Sequence, residues 1–165
     1  MDRLWAPWRM KYIKGEDMGR PEDSGTECVL CGLQESEDGP ENLILFRGAR
    51  AFVILNRFPY TNGHVMIVPS RHVRDFEMLD SEEGSEIFRL AQRTVAVLRE
   101  KLDAQGFNMG MNLGTMAGAG IDFHLHLHIV PRWEGDTNFM PVIGEVRVIP
   151  ELLAETYEVL LAAFR

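Results

Sequence analysis

The sequence predicts an α+β domain, a mostly antiparallel sheet of about five strands with one long helix and a C-terminal helix packed on it. Three observations lead there. Short apolar runs recur between turn signals, and two segments carry helical three-and-four spacing. The chain is also 165 residues of ordinary globular composition, 45% hydrophobic and 25% charged. That length buries one core and is too short for two full-sized domains.

Residues 1–27 hold Trp5, Trp8 and Tyr12, then a Gly/Asp/Pro/Ser-rich stretch from Gly15 to Gly25 without periodicity. This reads as an arm that docks by its aromatics, followed by a loop. Arg3, Arg9, Lys11 and Lys14 on the arm read as solvated charges. Residues 28–165 read as the single domain. Cys28-Val29-Leu30-Cys31-Gly32 forms a tight knuckle with no helix pattern beginning at it. Strands are expected at Leu43–Phe46, Ala51–Leu55 and His64–Val68, the first pair joined through a Gly48 turn and the second through a longer loop, 56–63. A long helix opens at Asp80 or Ser81 with acidic residues in its first turn. It repeats Ile87, Leu90, Ala91, Thr94, Leu98 and Leu102 on one face and stops at Gly106. Phe107–Leu113 and His124–Val130 read as paired strands around the glycine-rich loop Gly114–Gly120. Pro150 then opens a helix with Leu152, Leu153, Thr156, Tyr157, Leu160, Leu161 and Phe164 at helical spacing.

Seventeen basic against 25 acidic side chains leave a net charge of −8. That balance argues against a broad phosphate-neutralising face, so no nucleic-acid partner is expected and any anionic ligand meets a local site. The two cysteines, Cys28 and Cys31, stand at a spacing that suits metal binding or redox chemistry better than a disulfide framework. The N-terminus lacks the apolar stretch of a secretory leader and no run approaches the ~20 residues that span a bilayer, so no membrane partner and a cytoplasmic location are expected.

Three of the five histidines alternate in His124-Leu125-His126-Leu127-His128-Ile129-Val130. On an extended strand alternate side chains share a face roughly 6–7 Å apart, so three imidazoles would line one side with Leu125, Leu127 and Ile129 toward the core. A lone strand histidine is usually structural, but three in register are not explained that way. Two chemistries use such a row. Imidazoles can bind a catalytic zinc with an open water position, or one can be a nucleophile toward phosphorus while its neighbours hold phosphate oxygens. The spacing alone does not separate them. The glycine-rich loop before the strand and Arg132 after it favour phosphorus chemistry, since loop amides can approach phosphate oxygens unobstructed. The glycines fit neither a Walker loop nor a Rossmann fingerprint.

At this motif the sequence resembles the histidine triad (HIT) nucleotide hydrolases and transferases, whose signature alternates His with apolar residues as residues 124–130 do. Phe52–Pro59 and Gly63–Pro69 resemble the nucleoside-binding strand, loop and strand of the dinucleoside-polyphosphate hydrolases. Leu4–Arg9 and Pro131–Pro141 resemble the bacterial diadenosine tetraphosphate phosphorylases on this fold. The resemblance implies a HIT-like fold, a homodimer, an adenine dinucleoside polyphosphate as substrate, and His126 as the nucleophile flanked by His124 and His128. It implies substrate contacts from Asn56, His64, Asn112, Gly118 and Gly120. It further implies structural Zn2+ on Cys28, Cys31, His72 and His124. Gly120 departs from the family, since the hydrolase and phosphoramidase branches carry a glutamine there, which leaves room for orthophosphate as acceptor. Hydrolysis of nucleoside phosphoramidates and a zinc-dependent hydrolase on the three histidines stand as alternatives.

Overall fold

The computed structural model describes residues 28–136 and 151–165. The arm 1–27, residues 137–141 and Pro150 lie outside the described residues.

Helix α1 (Val29–Glu35) begins directly after Cys28. This corrects the expected helix-free knuckle. Seven residues are too few to show a period, and what holds the helix is tertiary: Leu30 reaches the core at 2% exposure, and both cysteines face other segments. Strands β1 (Ile44–Arg47), β2 (Ala51–Leu55) and β3 (Val65–Pro69) follow. Gly63 precedes β3 at φ +69°, a left-handed conformation that favours glycine, and a Cβ there would press on Leu102 Cδ1 at 2.5 Å and force that side chain to shift.

Helix α2 (Ser81–Leu102) opens on a capping box, the Asp80 carboxylate accepting from the Glu82 and Glu83 amides while Glu83 accepts from the Asp80 amide. Its buried stripe is Ile87, Leu90, Ala91, Thr94, Val97 and Leu98, close to the periodic set in the sequence. It ends at Asp103, in the left-handed region at φ 50°. Strands β4 (Gly106–Gly110) and β5 (Leu127–Arg132) and helix α3 (Leu153–Phe164) complete the order.

The five strands form one sheet in the order β1-β2-β3-β5-β4, every neighbouring pair antiparallel. Every residue of β2 and β3 is buried, as central strands covered on both faces require. Helix α2 packs on β2, β3 and β5, and α3 packs on α2 and β1. Arg93 of α2 fastens this corner, its guanidinium 4.4 Å from the Phe46 ring centroid and 5.1 Å from that of Phe164, with a 2.7 Å bond to the Phe164 carbonyl.

Two strand limits differ from the pattern. Strand β4 stops at Gly110 rather than Leu113, and β5 starts at Leu127 rather than His124. Residues 124–126 leave the ladder because other partners take their polar groups. The Leu125 amide donates to the Val73 carbonyl at 2.7 Å, and His124 Nε2 lies 2.9 Å from the Pro69 carbonyl. A backbone bond to Val73 past the end of β3, and a side-chain contact with Pro69 at its last position, stand in place of continued strand pairing.

Candidate active site

The three triad histidines do not share one open face. His124 is 1% and His126 6% exposed, and the expected row divides into two centres.

The first is a cluster of Cys28, Cys31, His72 and His124, whose ligand atoms all lie within 4.8 Å of one another. Cys28 Sγ stands 3.2 Å from His124 Nδ1, Cys31 Sγ 3.3 Å from His72 Nδ1 and 3.5 Å from His124 Nδ1. A tetrahedral ion with Zn–S of about 2.3 Å and Zn–N of about 2.0–2.1 Å has sulfur-to-nitrogen edges of about 3.5 Å, so these donors already stand near the required spacing. The Pro69 carbonyl at His124 Nε2 takes the ring proton there and turns the Nδ1 lone pair to the cluster. Burial, then the adjacent Cys28, pushes the Cys31 thiol up to about 11. That is opposite to a low-pKa redox pair, and a bound cation is what would hold these sulfurs as thiolates. The donor set therefore fits zinc.

The second centre is the pair His126 and His128, ring centroids 4.7 Å apart and edge to face. His126 Nδ1 lies 2.8 Å from the His124 carbonyl. A carbonyl only accepts, so Nδ1 carries the proton and Nε2 keeps its lone pair. Burial lowers His126 below the ordinary imidazole range, and lowers His128 to about 4, the second cause there being His126 itself. Both rings are neutral at pH 7.

His64, expected among the substrate contacts, is completely buried. It stands behind the pair, Nε2 2.9 Å from His128 Nδ1, while its Nδ1 receives the Tyr60 amide at 3.1 Å. Such burial corrects the expectation of a direct substrate contact. Asn56 is half-buried. Its side-chain oxygen accepts from the Phe58 amide at 2.8 Å and its amide nitrogen lies 3.4 Å from His64 Nδ1. Asn112 lies two residues beyond Gly110, the last paired residue of β4, which is opposite His128. Thr115–Ala117 form a short 3-10 turn between Gly114 and Gly118 at φ 77° and 85°, conformations that other residues adopt at a cost. Gly120 follows on the exposed side of the same loop.

Tyr60 escaped the sequence reading. Its ring packs 4.6 Å from His64 and 5.9 Å from His128. An aromatic in a Pro-containing loop four residues before a histidine was the available signal. The Pro69 and Val73 carbonyls left none.

A protein-family model for the HIT domain matches residues 39–135. AP-4-A phosphorylase of Mycobacterium tuberculosis is 38% identical over 162 residues, 97% of this chain and 83% of that protein. This chain belongs to the HIT family. Bis(5'-adenosyl)-triphosphatase of Dictyostelium discoideum is 32% identical over 93 residues, spanning 56% of this chain and 62% of that one. A Zn-bound histidine triad family protein from Mycobacterium smegmatis superposes with a TM-score of 0.69 at 29% identity, covering 86% of this chain and 95% of that one. The matched range, 39–135, contains all five strands of the sheet and residues 124–130.

Proposed function

We propose that this HIT protein cleaves dinucleoside polyphosphates, diadenosine tetraphosphate foremost, through a nucleotide covalently held on His126. The observation that carries the reading is the 2.8 Å approach of His126 Nδ1 to the His124 carbonyl, which sets the opposite nitrogen as a lone-pair donor. The similarity to the M. tuberculosis AP-4-A phosphorylase supports the substrate class.

His126 Nε2 attacks the α-phosphorus, an N–P bond forms, and the bond to the bridging oxygen breaks to release ATP. The acceptor oxygen then attacks the same phosphorus and His126 is regenerated. Water gives AMP, and orthophosphate gives ADP. His128 and the amides of the Gly114–Gly120 loop, with Asn112 beside them, hold the phosphoryl oxygens while charge builds on them. Asn56 stands on the nucleoside side, and Gly118 and Gly120 let the loop approach the phosphates. With glycine at 120, orthophosphate is the favoured acceptor.

Cys28, Cys31, His72 and His124 would hold a structural zinc, closed by four protein donors and supplying a cross-link rather than a catalytic water. The three triad histidines are then not a common metal site, because His126 and His128 stay outside the cluster. Residues 28–165 constitute the HIT domain with 1–27 as its arm, and the protein acts as a cytoplasmic homodimer on a nucleotide rather than on nucleic acid or membrane. Among the described residues no helix is long and apolar enough to cross a membrane.

The test is chromatography of the products from diadenosine tetraphosphate at rising orthophosphate. Phosphate-dependent ADP plus ATP is expected. AMP plus ATP throughout would leave a hydrolase on the same histidines, and no cleavage would overturn the substrate assignment.

A further inference from the structure

One buried polar atom near His126 has no protein partner among the described residues, the Nε2 of His128. Buried ring nitrogens are rarely left so, and an orphan beside a nucleophile points at a group that arrives with the substrate. Whether that nitrogen offers a proton or a lone pair decides what it can hold. His128 does not decide this alone.

The decision begins at a backbone amide. Tyr60 N–H lies 3.1 Å from His64 Nδ1, and an amide can only donate, so Nδ1 of His64 is unprotonated. The Asn56 side-chain nitrogen, 3.4 Å from the same atom, presses in the same direction. The His64 proton is therefore on Nε2, 2.9 Å from His128 Nδ1, which must accept it. The His128 proton is then left on Nε2, the orphan. His64 is wholly buried, so no solvent is at hand to reverse the order, and the Tyr60 ring, 4.6 Å from His64 and 5.9 Å from His128, holds both planes.

We infer that His64 is a positioning residue, which relays the donor sense of the Tyr60 amide through two imidazoles and makes His128 Nε2–H an obligate hydrogen-bond donor to a phosphate oxygen. No proton moves along the chain; the relay sets a tautomer in advance of substrate. His126 and His128 thereby receive opposite assignments from two backbone groups. A carbonyl turns the lone pair of His126 outward, and an amide turns the proton of His128 outward. Adjacent identical side chains thus become a nucleophile and an electrophile, and a donor aimed at developing phosphoryl charge acts mainly in the transition state.

This rests on the proposed phosphoryl chemistry, and the experiment separates the two. In the full chain labelled with 15N-histidine, long-range proton–nitrogen correlations are expected to show His128 protonated at Nε2 and bare at Nδ1 without substrate. A His128 protonated at Nδ1 overturns the relay whether or not the protein cleaves any dinucleotide. Kinetics on diadenosine tetraphosphate supply the second arm. His64→Phe keeps bulk but no donor, and kcat is expected to fall about 10²-fold with KM little changed. His64→Gln, whose amide can reach the Nε2 position and still donate, is expected to recover to within about tenfold of the parent chain. Equal kcat for the two variants, or a loss confined to KM, overturns the proposal. If neither variant folds, the tautomer in the parent chain decides.

Discussion

Replacing Cys28 and Cys31 together by serine removes half the donors of the four-residue cluster and leaves the triad segment untouched. The cluster ties together parts of the chain 41 residues apart, Cys31 to His72, and 93 apart, Cys31 to His124. Treated as a cross-link on the unfolded chain, closing the shorter loop is worth about 4 kcal/mol. For a protein of this size one kcal/mol moves Tm by roughly 2–4 °C, so the variant is expected to melt roughly 8–16 °C lower. Metal analysis is paired with the melts, and about one zinc per chain is expected in the parent protein and none in the variant. The loss is bounded because Leu30 still anchors α1 in the core at 2% exposure. A parent protein free of metal after gentle purification, or a variant that melts with a zinc-loaded parent, would refute the cross-link.

The other expectations are more local. His126→Asn retains a donor for the His124 carbonyl but loses the ring nitrogen, so kcat should fall below one per cent, at least ~2.7 kcal/mol of barrier, with the melting temperature nearly kept; more residual turnover would exclude His126 as nucleophile. Glu83 is 3% exposed and takes two bonds from Arg71, at 2.8 and 2.7 Å, besides capping α2. Glu83→Gln should cost about 1–3 kcal/mol in denaturant melts, and an unchanged midpoint would refute that. The Arg71 bonds hold the Glu83 carboxyl below its ordinary 4.5. Its contribution is thus complete above that pH and lost as pH falls through the depressed value, and the parent and Glu83→Gln stability curves should converge in acid. His128, lowered to about 4 chiefly by burial, binds its proton later than in the unfolded chain. Stability should therefore drop as pH falls from the ordinary imidazole value of 6.5 toward 4, an acid-side loss that His128→Asn should reduce.

Local pattern alone determined much of this protein. The period of Ile87, Leu90, Ala91, Thr94 and Leu98 announces the face of α2, because a helix repeats within a few residues whatever it packs on. The alternation at 124–130, with the glycine-rich loop before it and Arg132 after it, marks the candidate reactive segment for the same reason. Cys28 and Cys31 likewise declare a site by their spacing, though the helix that Cys28 precedes and Cys31 lies in was too short to show itself. What the three histidines do individually was decided elsewhere. Period two places them on one face, whereas the cysteines and Pro69 draw His124 away to one side, and β5 begins only at Leu127. His64 reads in sequence as a residue facing substrate, and the fold buries it behind His128, 64 positions distant. Hydrogen-bond direction passes through contacts between residues remote in the chain, and no local period records it. Tyr60, Pro69 and the His124 carbonyl therefore acquire their roles only when the sheet closes.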